Sequence, residues 1–323
     1  MSNLKDYQWP SSFTKNPKYI KKNSKQNYNT KLNKIEEFFT KKYGYNSILV
    51  PSARAGIALI LRYLKFSRKN DVFINKWVSH CIFNTVGAFT NISTNYFKPD
   101  LIICVHKWGY EQKIINNLDK KFIIEDSVDS IILNRKKLFV NNGDYELFSL
   151  PKILGSVSGS IIITKSKDFY NYCKYHQKKN KQLGIYQSEQ KFKSLNTNNN
   201  SFNTWLYHES WNTSLEHNAI EDIYKKLDNF EKIQSCIVKR QEIFKQKIGL
   251  NCFDNQRLGP LIAIPIECFK NKKKITSKLL LRHLHQKKSS FNKFKKVILL
   301  PIHFKIDQNK FNYYLNLIDQ NIK

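Results

Sequence analysis

Hydrophobic positions along the 323-residue chain follow two periods that alternate with one another. Leu32, Ile35, Phe38 and Phe39 recur at helical spacing, which predicts a helix from Leu32 to Tyr43 stopped by Gly44. A short apolar run, Ile48 to Val50, then passes through the turn Pro51-Ser52-Ala53-Arg54-Ala55-Gly56 into an amphipathic helix, Ile57 to Leu64. Asp71 to Ile74 reads as a strand, followed by a polar turn, Asn75 to His80, and a helix through Ala88. Tyr96-Phe97, Leu101 to Val105 and Phe122 to Ile124 read as further strands, with a helix from about Glu111 to Leu118 between the last two. A strand ending in Ser149 and a very apolar one from Gly159 to Thr164 follow.

Beyond Thr164 the texture changes. Asp168 to Leu183 reads as a lysine- and tyrosine-rich helix, and Ser194 to Asn203 as an Asn-rich loop. Ile220, Ile223, Leu227, Phe230, Ile233, Ile237 and Phe244 form an apolar stripe that predicts one long helix over Leu215 to Phe244. The tail alternates strand-like runs, Leu261 to Ile266 and Val297 to Leu300, with predicted helices at Thr276 to Gln286 and Gln308 to Ile318. The expected fold class is α/β, a mostly parallel sheet covered by helices on both faces, with a small C-terminal α+β domain. The expected division is an N-terminal arm over 1–30, a large domain over 31–210, a connecting helix over 211–245 and a small domain over 246–323. No internal repeat is visible.

Composition changes this picture in three ways. Hydrophobic residues at 41% are enough for a sizeable core, and no apolar run reaches the roughly 18 residues of a membrane span. The N-terminal stretch lacks an apolar signal core, so the chain is expected to be cytoplasmic, with no integral membrane segment. A net charge of +30 raises the question of a polyanionic partner. The excess is lysine spread along the whole chain, which reads as a solvated surface, and no nucleic-acid partner is expected. Six cysteines lie far apart with no C-x-x-C, which implies neither a zinc site nor a redox pair. Cys104 and Cys268, inside apolar runs, are expected to be buried thiols.

In parallel sheets of this kind, ligands sit beyond the carboxyl ends of the strands, where Ser52, Trp77, His80, His106, Asp126 and Ser149 are expected to fall. The stretch from Phe122 to Thr164 concentrates the chemistry: Glu125-Asp126 at one strand end, Ser149 at another, and Lys152 just beyond it. A carboxylate and a lysine at neighbouring strand ends suggest a site. The start of a helix after a small-residue turn at Ser52 presents free N–H groups, the physical basis of phosphate binding.

Taken in order, these motifs resemble the DegT/DnrJ/EryC1/StrS family of sugar aminotransferases, fold type I enzymes that use pyridoxal phosphate. The series runs from Ile35-Glu36-Glu37-Phe38 and Pro51-Ser52-Ala53-Arg54-Ala55 to Val105-His106-x-x-Gly109 and Ile124-Glu125-Asp126. It continues through Gly143-Asp144-Tyr145, Phe148-Ser149 and Lys152 to Leu215-Glu216-x-x-Ala219 and Leu300-Pro301-Ile302-His303. No single motif is specific; their order over residues 35 to 318 is.

The resemblance implies pyridoxal 5'-phosphate as cofactor, a nucleotide-linked keto-sugar as acceptor in surface-glycan biosynthesis, an amino-acid donor and a homodimer. It implies Lys152 as the Schiff-base lysine and proton shuttle, and Asp126 as partner of the pyridine nitrogen. Ser52, the Ala53 and Arg54 amides and Ser149 would hold the cofactor phosphate. Trp77 and His80 compete to stack on the ring, and Asp129 would lie near the phenolic oxygen. The chain departs from the usual pattern in spacing Ser149 and Lys152 three apart, around Pro151. It also replaces the usual E-G-G after the lysine with Val157-Ser158-Gly159-Ser160, and a Gln or His with Asp129. The alternative these departures leave open is a non-catalytic or altered-chemistry protein that keeps the fold as a binding or assembly module.

Overall fold

The computed structural model describes residues 27–93, 98–114, 122–133, 137–196, 213–252, 257–285 and 294–323. At its centre is a seven-stranded sheet of β1 (Asn46–Val50), β2 (Asp71–Ile74), β3 (Asn91–Ser93), β4 (Leu101–Val105), β5 (Phe122–Asp126), β7 (Tyr145–Ser149) and β8 (Ser160–Thr164). The spatial order is β1-β8-β7-β5-β4-β2-β3. Neighbours from β3 to β7 pair in parallel, and β8 runs antiparallel between β7 and β1.

The strands are apolar on both faces because helices cover both. Ile48, Val50 and Ile162 point into one core with α2 (Ala53–Tyr63), α3 (His80–Gly87) and α5 (Lys167–Lys179). Their sequence neighbours Leu49, Ile161 and Ile163 point the other way, onto α1 (Tyr28–Tyr43) and the helix His217–Leu227. Gly44 ends α1 in the left-handed region, φ 72°, as expected of a glycine stop. Ser52 caps α2, its hydroxyl accepting the Ala55 N–H at 3.1 Å, so that helix starts one turn earlier than its apolar pattern.

The C-terminal part builds a three-stranded antiparallel sheet, β10 (Leu261–Pro265), β12 (Phe294–Pro301) and β11 (Leu280–His285), packed with the helix Gln308–Asp319. A two-stranded ladder, β6 (Ile131–Ile132) with β9 (Arg257–Leu258), ties it to the end of β5. The segment Thr276–Gln286, expected to be a helix, instead contributes the strand Leu280–His285. Leucine-rich residues favour helix in isolation, but Leu280–His285 pairs along its whole length with β12, and those tertiary hydrogen bonds override propensity.

The single helix predicted over Leu215–Phe244 is two, His217–Leu227 and Phe230–Ile248, broken at Asp228-Asn229. The apolar stripe is buried throughout, yet the first helix packs on α1 and the second reaches the C-terminal helix, so the axis turns between two partners. Likewise the helix predicted over Asp168–Leu183 covers nearly all of α5 and the first residues of a second helix, α6 (Lys181–Asn196).

Residues 111–114 are not helical, because their groups are engaged elsewhere: the Gln112 N–H donates to His106 Nδ1 and the Gln112 carbonyl accepts from Asn141. The rest of that predicted helix, the Tyr96-Phe97 strand, residues 1–26 of the arm and most of the Asn-rich loop lie outside the described residues. All six cysteines are free; Cys104 and Cys173 are buried, whereas Cys268 is only partly so, against the expectation for it. No helix among the described residues is long and apolar enough to cross a membrane.

Candidate active site

The parallel ladder sets the first distances. β4, β5 and β7 lie side by side, with Val105 opposite Asp126 and Asp126 opposite Leu147, so the residues following each strand emerge at one edge of the sheet. β8 enters between β7 and β1, pairing Ser160 with both Ser149 and Val50, which brings the Ser52 turn to the same edge. Asp126, Ser149, Ser52 and Lys152 therefore converge by register alone.

Lys152 lies on α4 (Leu150–Leu154), a single turn that starts directly after Ser149 with Pro151 in its first turn. Its Nζ donates to Asp129 Oδ1 at 2.6 Å, with 28% of the lysine side chain and 10% of the aspartate side chain exposed. Burial works against the ammonium, but the charge and hydrogen bond of Asp129 outweigh it, and the Lys152 pKa is raised. Asp126 and the Cys81 thiol add to the same effect.

Asp126 is 1% exposed, and its hydrogen-bond donor among the described residues is the Val128 N–H, 3.1 Å from Oδ1. Burial, reinforced by the Asp129 carboxylate, pushes Asp126 up to about 7 against the pull of Lys152. A buried carboxylate so sparsely bonded is a seat for a cation, and a protonated pyridine nitrogen supplies one. Ser52 suits a phosphate as well, because its side chain caps α2, accepting from the Ala55 N–H next to the first amides of that helix. The residues present fit pyridoxal phosphate.

Because the folded pKa of Asp126 lies above its unfolded value, its contribution to stability is complete at low pH and is lost as pH rises through about 7. Cofactor-free protein is therefore expected to lose stability between roughly pH 4 and pH 7 in a component that Asp126→Asn lacks. Urea midpoints of both proteins across that range measure it; parallel profiles would contradict the environment described for Asp126.

A second set of polar groups holds this edge together. Glu125, the neighbour of Asp126, points to the opposite face and accepts from His106 Nε2 at 2.5 Å. His106 Nδ1 takes the Gln112 N–H at 3.0 Å, which fixes the tautomer with the proton on Nε2. Glu125 also accepts from the Asn141 N–H at 2.7 Å; burial tends to raise its pKa, but His106 and Asn141 hold it below the usual range. Gly143 is required here, since a Cβ would stand 2.5 Å from Glu125 Cγ. Cys104, His106 and Glu125 bring potential metal-binding atoms within 4.8 Å of one another. Each is already engaged by the protein, Cys104 by Asn141 and by the Gln112 carbonyl, so the cluster is read as structural.

Arg257, 1% exposed, was not signalled by any motif. Its Nη1 donates to Ser127 Oγ at 2.7 Å and to Glu146 Oε1 at 2.9 Å, and its Nη2 to the Lys137 carbonyl at 2.8 Å. It thus anchors the C-terminal part to the residue that follows Asp126. The contact is backbone against backbone: a Cβ on Gly109, at φ +90°, would lie 2.7 Å from the Arg257 carbonyl oxygen, and one on Gly259 only 1.7 Å from that of Trp108. A signal did exist in the sequence. The chain has seven arginines among 55 basic residues, and a lysine-rich protein keeps arginine where a planar, multidentate donor is needed. Arg240 has such a place, its guanidinium donating to the His303 and Ile306 carbonyls at 2.6 and 2.8 Å. That grip holds the buried His303 beside Lys152 and Asp129 in the crevice between the two parts of the chain.

Trp77 and His80 stand differently. No hydrogen bond, ion pair or ring contact among the described residues joins either to Asp126, Asp129 or Lys152. Trp77 is 49% exposed and stacks on His283 of β11, centroids 4.0 Å apart and planes 13° from parallel. His80 is exposed at the first position of α3. Cys81, one residue on, is the member of this stretch whose charge is felt at Lys152.

Residues 35–323 match the family model described as "Putative PLP-dependent aminotransferase". The chain belongs to this family of pyridoxal phosphate-dependent aminotransferases. No curated protein matches it. Among solved structures, the aminotransferase resembles the "Putative sugar aminotransferase Spr1654" of Streptococcus pneumoniae in its PMP form, with TM-score 0.57 and 12% identity over 90% of this chain and 89% of the other. It also resembles a DegT DnrJ EryC1 StrS aminotransferase of Brucella abortus, with TM-score 0.55 and 10% identity over 90% of each. A third is DesI, determined in the presence of its TDP-sugar product, with TM-score 0.57 and 11% identity over 90% and 84%. At these identities the likeness establishes the fold: the aminotransferase has the PLP-dependent transferase architecture.

Proposed function

We propose that this aminotransferase transfers an amino group from an amino acid to a nucleotide-linked keto-sugar, serving surface-glycan biosynthesis, and works as a homodimer. The observation that carries the site assignment is the convergence of Asp126 and Lys152 at adjacent strand ends, with Asp129 bonded to Lys152 Nζ. The substrate class is supported by the ordered motif series and by the TDP-sugar product named for DesI.

Bound at this edge, pyridoxal phosphate supplies an electron sink that allows an amino group to be exchanged between donor and acceptor. The chain's own residues supply the rest. Lys152 would hold the cofactor covalently, and its free Nζ would carry a proton. Asp129 stabilises that proton, so each turnover requires the Lys152–Asp129 pair to open and re-form. Asp126 holds the positive charge of the pyridine nitrogen, and the bond from Val128 N–H fixes the carboxylate's orientation. Ser52, the Ala53 and Arg54 amides and Ser149 hold the phosphate. His303, clamped by Arg240, closes the crevice over the Lys152 side and helps exclude water.

The test is a divided reaction. Purified protein loaded with pyridoxal phosphate and given L-glutamate is expected to lose the absorption of the bound cofactor, and a nucleotide-linked keto-sugar is then expected to restore it. Failure to bind the cofactor, or binding with no response to any amino donor, would favour the non-catalytic alternative.

A further inference from the structure

Two cations at the seam with β11, Lys107 and Arg282, have no carboxylate partner within ion-pair distance among the described residues. Lys107 follows His106 in the turn after β4; it is half-buried, and its Nζ donates to the His283 carbonyl of β11 at 3.3 Å. Burial lowers its pKa to about 8; Asp129 works against this, and the like charge of Arg282 adds to it. Arg282, exposed on β11, donates Nη1 to the Leu281 carbonyl at 2.9 Å. Both cations thus border the sheet edge of the large domain and the edge strand of the small sheet, and Lys107 lies within the field of the carboxylate bonded to Lys152. Beside them, the stacked rings of Trp77 and His283 bridge the same two elements, with Trp77 half open to solvent.

Placing two like charges together at a partly buried seam costs free energy unless an anion joins them. A half-exposed indole on an imidazole is a surface that planar aromatic ligands stack on. A phosphorylated ligand carrying an aromatic base meets both features at once. A carboxylate alone would use the cations and leave the ring pair idle.

We propose that Lys107 and Arg282 bind the diphosphate of the nucleotide-linked substrate and that the Trp77–His283 pair is the platform for its base. This rests on the substrate reading above and deepens it by assigning the residues of one subsite, none of which is a fixed position of the motif series. Trp77 has a role, but as a rim residue facing the substrate's nucleotide.

The test uses protein loaded with pyridoxal phosphate and titrates uridine diphosphate and thymidine diphosphate by calorimetry at several salt concentrations, with inorganic phosphate for comparison. Lys107→Met, which keeps the buried stem, is expected to weaken nucleoside diphosphate binding about tenfold, the value of one hydrogen bond to a charged group. It is also expected to flatten the salt dependence, and Lys107→Arg to recover most of the loss. Arg282→Gln, at an exposed position, is expected to lower affinity several-fold, and Trp77→Ala to weaken nucleoside diphosphates more than inorganic phosphate. The inference is overturned if the wild-type protein binds nucleoside diphosphates and the variants bind them equally well. It is also overturned if Lys107→Met raises the KM of the amino donor more than it weakens the nucleotide, which would assign the cation to the donor's carboxylate. No binding of either nucleotide by the wild-type protein would instead sink the substrate reading itself.

Discussion

Lys152→Ala is expected to abolish transamination and to leave no cofactor covalently attached. In wild-type protein, borohydride treatment after loading is expected to fix pyridoxal phosphate to the peptide containing Lys152, readable by mass spectrometry; in the variant no such peptide forms. The expected rate loss is at least ~10³-fold, because one side chain provides both attachment and the positioned proton transfer, a role that by itself is worth ~10²–10⁴. The variant should remain folded, since the Lys152 side chain is partly exposed and lies on a single helical turn at the crevice rather than in the core. Retained covalent cofactor in Lys152→Ala would move the attachment to another of the chain's many lysines and dismantle the site as described. A parallel variant, Asp129→Asn, separates the two functions of that pair. It removes the group that stabilises the ammonium, so Lys152 is expected to lose its proton at lower pH and to capture the cofactor faster near neutrality. Unchanged capture kinetics would show that Asp129 does not govern Lys152.

Arg257→Met is expected to destabilise the fold by about 3–5 kcal/mol, the usual cost of stranding a buried charge by removing its partner. Glu146 is fully buried; after the substitution it keeps the Ser127 hydroxyl and the Phe139 N–H but loses its counter-charge. Urea midpoints measure the loss, and the double variant Arg257→Met/Glu146→Gln should recover part of it because Glu146 no longer carries an unpaired charge, while the buried Glu111, 3.4 Å from Arg257 Nε in the wild type, still loses its partner. The effect should reach the site, since Arg257 also holds Ser127, the residue after Asp126. Cofactor affinity should fall even under conditions where the variant is fully folded. A change below about 1 kcal/mol would mean that water or a rearranged neighbour replaces the guanidinium.

Much of this is legible in the sequence. The acidic residue after the apolar β5, the small-residue turn after β1 and the lysine just past β7 were identified as strand-end chemistry, and the sheet register places them at one edge. His106 is placed at a strand end by its motif, and its bonds to Glu125 and Gln112 show that it organises the turn there. The readings that failed were those in which a segment's partner decides its form. Leu280–His285 is a strand because β12 lies beside it, and the apolar stripe from Ile220 to Phe244 breaks because its two halves meet different surfaces. The arginine network was hidden for the same reason, because Arg257 and Glu146 are 111 positions apart and neither sits in a periodic pattern.

The sequence by itself determined the alternation of strands and helices, the ends at which Ser52, Asp126 and Lys152 emerge, and the family to which their order points. These follow from local periodicity and from residue types whose chemistry is intrinsic. Only the tertiary structure decided that Asp129 bonds to Lys152, that Trp77 stacks on His283, and that Arg257 joins the two parts beneath the site. Such pairings depend on long-range register and on burial, which sets the strength of each charge interaction, and neither is written in any short stretch of the chain.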